Sequence, residues 1–334
     1  MYNDASSPRL MNVTFSGNVA EDGLGGIYDL GGSNASIDNS VFWGDGSVEI
    51  ANSASAPIIQ DSIVAGGCPA GSACTHVLSA DPILGTLQDN GGDGDTQTMA
   101  LGVGSAAIDA GGVNAACTTT DQRGVPRPQG SACDMGAYEV TPSVSFTSLA
   151  TQDGWVLEST ETSGHGATIK AAGQTFKLGD LGSRQQYRAI LSFSIGDLPD
   201  NVVIVSAALA LRRQSVNPPG TNPFNILQGL LIDVRNGFFG TRAGLQPADF
   251  RAAGDTTVGP FKPRPEGALY TISLPSSAYP YINTSPAGDG LTQLRLRFKL
   301  DDNNDATANL ISFFSGNYPA SDYWPTLVVM YYLP

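Results

Sequence analysis

The sequence predicts an all-β chain of two bodies in series: a short coiled β-solenoid closed by a cysteine-pinned cap, then a jelly-roll sandwich. Three observations predict it. Segments of one pattern recur through the first 67 residues. A turn-rich stretch from Asp81 to Glu139 has almost no helical period and holds two cysteines. Beyond it, strands alternate apolar and polar residues with period two.

The recurring segments are Asn12-Val-Thr-Phe-Ser-Gly-Asn18, Asn39-Ser-Val-Phe-Trp-Gly-Asp45 and Asp61-Ser-Ile-Val-Ala-Gly-Gly67, starting 27 and then 22 residues apart. Each is an Asx residue, a β-branched or aromatic core, then a glycine corner. One such rung cannot bury its inward side chains alone, and stacking buries them. Asn and Asp suit the corners because they tolerate left-handed backbone and bond nearby amides. Gly23 to Tyr28 reads as another strand of the coil. The chain opens already inside a repeat, so Met1 is expected to be an internal point of a longer secreted protein.

Gly 40 and Pro 21 are high, only 14% of residues are charged, and 41% are hydrophobic, enough for real cores. The net charge of −14 is uneven. Residues 1–142 carry 16 acids against Arg9, Arg123 and Arg127, a net of −13, whereas 143–334 are almost neutral. An acidic first half repels nucleic acid, and no basic footprint exists. No run of about 18 apolar residues is present to span a membrane.

Cys68, Cys74, Cys117 and Cys133 allow three pairings. Nearest-neighbour disulfides closing 68–74 and 117–133 are expected over zinc, because no CxxC occurs and only His76 is near. Disulfides imply an oxidising, extracytoplasmic setting, and the expected location is extracellular or cell-surface, of bacterial type.

In the second body, Val203, Val205, Ala207, Leu209 and Leu211 form one period-two stripe, and Tyr187, Ala189, Leu191 and Phe193 another. Leu294, Leu296, Phe298 and Leu300 alternate with Arg295, Arg297 and Lys299. Strands also read at 153–158, 168–178, 227–234, 268–274, 308–315 and 326–332. Short helical turns are expected at Ala278–Ile282 and near Pro247–Ala253. About nine strands joined by Pro/Gly turns argue a two-sheet jelly roll.

Two stretches resemble known families. The residues DNGG (89–92), TQTMAL (96–101), GSAAIDAG (104–111), TDQRGVPRP (120–128) and CDMGAYE (133–139) resemble the terminal part of secreted right-handed parallel β-helix proteins, the pectin-lyase-like folds of choice-of-anchor Q type. The residues QDGWVLESTETS (152–163), QYRAILSFSIGDLPDNVVIVSAALALRR (186–213), GFFGTRAGLQPADF (237–250) and WPTLVVMYY (324–332) resemble a DNRLRE-type domain, a β-sandwich related to carbohydrate-binding modules. The resemblances imply a short right-handed parallel β-helix with a disulfide-pinned cap over 1–140, a linker over 141–146, and a jelly-roll β-sandwich over 147–334. They imply an extracellular scaffold and no single chemistry.

Catalysis is not expected. His76 and His165 sit in Gly/Ser-rich stretches and read as loop residues, and no G-x-S-x-G elbow exists. A polysaccharide lyase needs a base and cations, yet the first body has no lysine, and Arg123 reads as an ion pair with Asp121 or Asp134. Asp38, Asp45 and Asp61 fall at turns, where carboxylates cap corners rather than form a glycosidase pair.

Structural calcium is expected in the second body, on Asp301, Asn303, Asp305 or Glu158, from alternating oxygen donors that match no EF-hand. A second candidate, Gly91 to Asp95, nearly matches the nonapeptide calcium repeat. For sugar, exposed aromatic faces are needed. Trp155, Tyr318, Tyr323 and Trp324 are the candidates, with Tyr279 and Tyr281 behind them. Arg295 and Arg297, with Arg212 or Arg213 nearby, are candidates for acidic groups, and Phe238 and Phe239 read as buried. The expected partner is a polysaccharide, acidic in the sharper reading. The expected role is non-catalytic carbohydrate binding or surface attachment. A homo-oligomer built through the open end of the coil is the alternative, and a polysaccharide lyase or glycoside hydrolase comes last.

Overall fold

The computed structural model describes residues 1–20, 23–91, 96–199, 201–284 and 290–333. The chain is almost all β, 42% strand and 5% helical. It divides into two compact units, Met1–Pro142 and Ser143–Tyr331.

The strands of the first unit are β1 (Tyr2–Asp4), β2 (Arg9–Met11), β3 (Thr14–Ser16), β4 (Leu24–Leu30), β5 (Ser36–Asp38), β6 (Val41–Trp43), β7 (Val48–Ser53), β8 (Ile58–Val64) and β9 (Ala73–Leu78). All pair in parallel. One sheet runs β1-β4-β7; the other runs β2-β5-β8-β6-β3, with β9 on β8. In-register pairing stacks like on like: Leu10 on Ile37 on Ile59, Phe15 on Phe42, Val41 on Ile63, Ile27 on Ile50. Ile27, Ile37, Phe42 and Ile59 have no exposure, each side chain contributing about 1.5–3 kcal/mol of burial. Close stacking demands Gly25 in β4, where a Cβ would fall on the Asp45 carbonyl.

The aligned Asx residues occupy one corner of successive circuits, all in the left-handed region: Asn12 at φ 52°, Asn39 at 47°, Asp61 at 45°. Asn and Asp enter this region at less cost than branched or bulky residues. A fourth member is His76 at φ 53°. The histidine expected in a loop lies inside β9, opposite Asp61 in the β8–β9 register. Ser40 Oγ accepts from the Val13 amide at 3.3 Å, and Ser62 Oγ from the Ser40 amide at 3.0 Å, satisfying donors that the corner takes out of the ladder.

The second unit is antiparallel. Its strands are β10 (Ser143–Thr147), β11 (Gly154–Glu158), β12 (Gly166–Ala171), β13 (Thr175–Asp180), β14 (Gln186–Ser194), β15 (Val203–Asn217), β16 (Leu230–Asn236), β17 (Thr256–Phe261), β18 (Leu269–Leu274), β19 (Leu291–Phe298), β20 (Asn309–Phe314) and β21 (Thr326–Tyr332). The linker expected over 141–146 is mostly strand, because Ser143–Thr147 pair with Thr326–Met330. The strand expected over 168–178 is two strands, β12 and β13. The expected helical turns are 3-10 turns, Pro247–Phe250 and Ser276–Tyr281. The long β15 pairs with β18 through Arg212, shifts register after Arg213, and continues along β20. The resulting curled sheet encloses the predicted stripes: Leu209 and Leu211 meet Phe193, Leu294, Leu296 and Phe313 in one core.

Candidate functional site

The stretch after β20 gathers aromatic rings. Phe314 ends β20, Tyr318 follows a turn closed by its amide on Ser315 O at 3.1 Å, and Tyr323 ends a 3-10 turn over Ser321–Tyr323. The Phe314, Tyr318 and Tyr323 centroids are mutually 4.4 to 5.3 Å apart, and all three rings are half-buried. Trp324 Nε1 donates to Tyr318 O at 2.6 Å, and Asn317 Nδ2 donates to Ala150 O at 2.6 Å, so the loop is tied at both ends. The Arg212 guanidinium lies 4.7 Å from the Tyr323 centroid. Its Nε is buried without a hydrogen-bond partner, and it forms no ion pair among the described residues. Half-exposed rings beside an unpaired guanidinium supply a stacking surface for a pyranose and a charge for an anionic substituent.

Of the predicted sugar-site residues, Tyr318, Tyr323 and Trp324 are therefore brought together. Trp155 is not with them. Half-buried, it packs against the main core, edge-on to Tyr187 at 4.8 Å.

The Arg295/Arg297 stripe is also no open cationic face. Arg295 is 5% exposed. Its Nε donates to Asp233 Oδ2 at 2.8 Å, and its Nη1 to the Asp249 and Ala252 carbonyls at 2.8 and 2.7 Å. It stacks on Phe239 at 4.7 Å. Arg188 does the same work next door, donating to Phe250 O at 2.6 Å and stacking on its ring. These arginines fasten the 237–252 excursion to the sheet. Arg297, half-buried, shares Asp233 through bonds of 2.9 and 3.1 Å. Burial opposes ionisation of Asp233, but the Arg297 hydrogen bonds and the Arg295 charge outweigh it and hold the carboxyl below its ordinary value. Phe239 is buried as expected, while Phe238 is 39% exposed.

The candidate calcium donors are engaged within the chain. Glu158 is buried and turns inward, its Oε1 accepting from the Gly164 amide at 2.8 Å. Asp301 has the Arg188 guanidinium 3.8 Å away, a charge that repels a cation. Asn303 Nδ2 donates to Asp305 Oδ2 at 2.7 Å, and Asp305 Oδ1 accepts from the Thr307 amide at 2.7 Å. No cluster of three metal-ligating side chains occurs among the described residues. The Gly91 to Asp95 candidate falls on 92–95, outside those residues.

In the first unit both disulfides join nearest neighbours, Cys68–Cys74 and Cys117–Cys133. The second pins a strap, residues 111–118, along the left-handed corner. Asn12 Oδ1 accepts from the Thr118 amide at 3.0 Å, Asn39 Oδ1 from the Gly112 amide at 2.6 Å, and Asp61 Oδ2 from the Asn114 and Ala115 amides at 2.6 and 2.8 Å. Arg123 pairs with Asp121 at 2.7 Å, and Arg127 with Glu139 at 2.7 Å, both fully buried structural pairs. Asp45 and Asp61 have no exposure, and Asp38 is 5% exposed. Such carboxylates brace the coil. Among the described residues no helix is long and apolar enough to cross a membrane.

No family model matches the chain, and no curated protein is significantly similar to it.

Proposed function

We propose that this chain is a non-catalytic, extracellular carbohydrate-binding or surface-attachment protein. In this reading the first unit is a short right-handed parallel β-helix of pectin-lyase-like, choice-of-anchor Q type, serving as a rigid stalk. The second is a DNRLRE-type jelly-roll β-sandwich carrying the glycan site. The parallel in-register stacking supports the first assignment, and the antiparallel curled sheet with its large main core supports the second. Two disulfides suit an oxidising compartment.

The observation that carries the reading is the convergence of Phe314, Tyr318 and Tyr323 with the unpaired Arg212. It points to a polysaccharide, with an acidic one favoured by the guanidinium. The test is a glycan array with and without EDTA, which also reports any metal dependence, followed by affinity electrophoresis. Tyr323→Ala and Trp324→Ala should each weaken retention about tenfold, the loss of one stacking contact worth about 1.4 kcal/mol. Unchanged retention of both variants removes the cluster from the site. Release of reducing ends or unsaturated product from alginate, pectin or xylan overturns the non-catalytic reading.

A second reading is self-assembly. The outer edges of β1, β2 and β3 pair with no strand among the described residues, and such edges template strand addition. Concentration-dependent light scattering favours it; a monomer at all concentrations rejects it.

A further inference from the structure

Asp153 lies beneath the start of the ring-bearing loop and has no exposure. Its Oδ1 accepts from the Ser192 amide of β14 at 3.2 Å, and its Oδ2 from the Gly316 amide after β20 at 3.3 Å. The Ser148 hydroxyl, after β10, is the third neighbour. No charged side chain contributes from any of these three elements. An ionised carboxylate here has no cation to offset its lost hydration. Burial, partly opposed by the Ser192 and Gly316 amides and the nearby Ser148 hydroxyl, pushes the carboxyl up to about 7.

The loop is pressed against this acid. A Cβ at Gly316 would lie 3.1 Å from Asp153 Oδ2 and 2.8 Å from Ser148 O, so only glycine allows the approach. From Gly316 the position is relayed to the rings. Asn317 is tied to Ala150 O, the Tyr318 amide to Ser315 O, and Trp324 Nε1 to Tyr318 O. Ser192, by contrast, sits in β14 opposite Gln293 of β19 and is held by the ladder. Water reaching an ionised Asp153 therefore enters on the Gly316 side, where the flanking Ser315 is held by its amide on Gln174 O at 3.0 Å and Asn317 by its side chain on Ala150 O at 2.6 Å.

We propose that Asp153 is a positioning residue for the loop carrying Tyr318, Tyr323 and Trp324, seating it when protonated and loosening it when ionised. The ring cluster is then closed in mildly acidic medium and open in alkaline medium. Its meaning for ligand affinity rests on the glycan reading above; the loop movement does not.

The test uses the full chain without ligand. Trp324 emission is followed from pH 5 to 9, with Trp324→Phe subtracted to remove Trp43 and Trp155. A transition centred near 7 is expected, and it should vanish in Asp153→Asn. A flat Trp324 signal, or the same transition in Asp153→Asn, overturns the proposal. Should that variant fail to fold, hydrogen exchange of the unmodified chain decides. Corrected for intrinsic rates, amides 316–318 should lose about tenfold in protection per pH unit from about pH 5 up to the transition and level off above it, while Ser192 does not. Equal protection at pH 6 and 8 overturns it. If a glycan from the array binds, its affinity should fall several-fold over the same range in the unmodified chain only; binding that ignores pH also counts against the proposal. A complete lack of glycan binding strikes at the functional reading, while the fluorescence and exchange results still decide the positioning role.

Discussion

His76 Nδ1 lies 2.9 Å from Asp61 Oδ1, joining the last two members of the left-handed corner column. The other donors to this carboxylate are the Asn114 amide and side chain and the Ala115 amide, all from the strap. Asp61 thus joins three segments distant in sequence. Burial opposes its ionisation, yet the Asn114 and His76 bonds more than compensate and hold its carboxyl below the ordinary value.

Asp61→Ala should therefore cost the first unit about 3 kcal/mol, since it leaves the strap amides and His76 without an acceptor. Urea unfolding followed by far-ultraviolet circular dichroism measures the loss. Asp61→Asn should cost less, because one carbonyl oxygen survives. A cost under about 0.5 kcal/mol for the alanine variant would show that the strap does not depend on this residue.

Arg295 and Arg297 share Asp233 but should behave differently. Arg295→Met takes one of two guanidiniums from Asp233 and strands the Asp249 and Ala252 carbonyls, and a loss of about 3 kcal/mol is expected. Arg297→Gln keeps the Arg295 pair, and its loss should stay below about 1 kcal/mol. Equal effects would mean that Asp233 does not distinguish the two guanidiniums.

Burial pushes several carboxyls up, among them Asp134, Asp180 and Asp249 to about 6 and Asp153 to about 7. Each folded-state value exceeds its ordinary value of 3.8, so the native state holds protons that the unfolded chain has released. Their contribution is fully present below about 4 and is lost as the pH rises through about 6 to 7. The melting temperature should be higher at pH 5 than at pH 8. Differential scanning calorimetry checks this, and Asp153→Asn should flatten part of the slope for the second unit. A melting temperature that rises from pH 5 to 8 contradicts the assignment.

The Cys117–Cys133 bond spans 16 residues and anchors the strap; Cys68–Cys74 spans 6. Replacing both cysteines of the first pair with serine should cost about 3 kcal/mol, more than the second pair, because the longer loop restricts the unfolded chain further. Limited proteolysis should then cut near 111–118 first. Cleavage elsewhere would mean that the strap stays seated without its pin.

The corner column was partly legible because its chemistry is local. Asn12, Asn39 and Asp61 are residue types that accept left-handed backbone, and each precedes an apolar run. His76 escaped notice because the spacing shortens to 15 residues and imidazole is not a usual corner group. The Asp121–Arg123 pair was readable because its partners are two residues apart. Alternation placed Arg295 and Arg297 on one face of β19, but it carried no sign that the 237–252 excursion covers that face. For the same reason Trp155 read equally as platform or core. The strand at 143–147 was hidden by Pro142 and by a pairing partner almost two hundred residues away. Tyr318, Tyr323 and Trp324 were found because they crowd one short segment. The role of Arg212 beside them, and the buried Asp153 beneath, depend on tertiary approach.

Asn12 meets its strap amide only at Thr118, 106 residues further along. During vectorial synthesis the early circuits must emerge and stack while their corner amides face water. Closure waits until Cys133 has left the ribosome and paired with Cys117. Nascent chains halted before that point would carry intact circuits with an unbuckled seam, which a folding factor or a protease would recognise first.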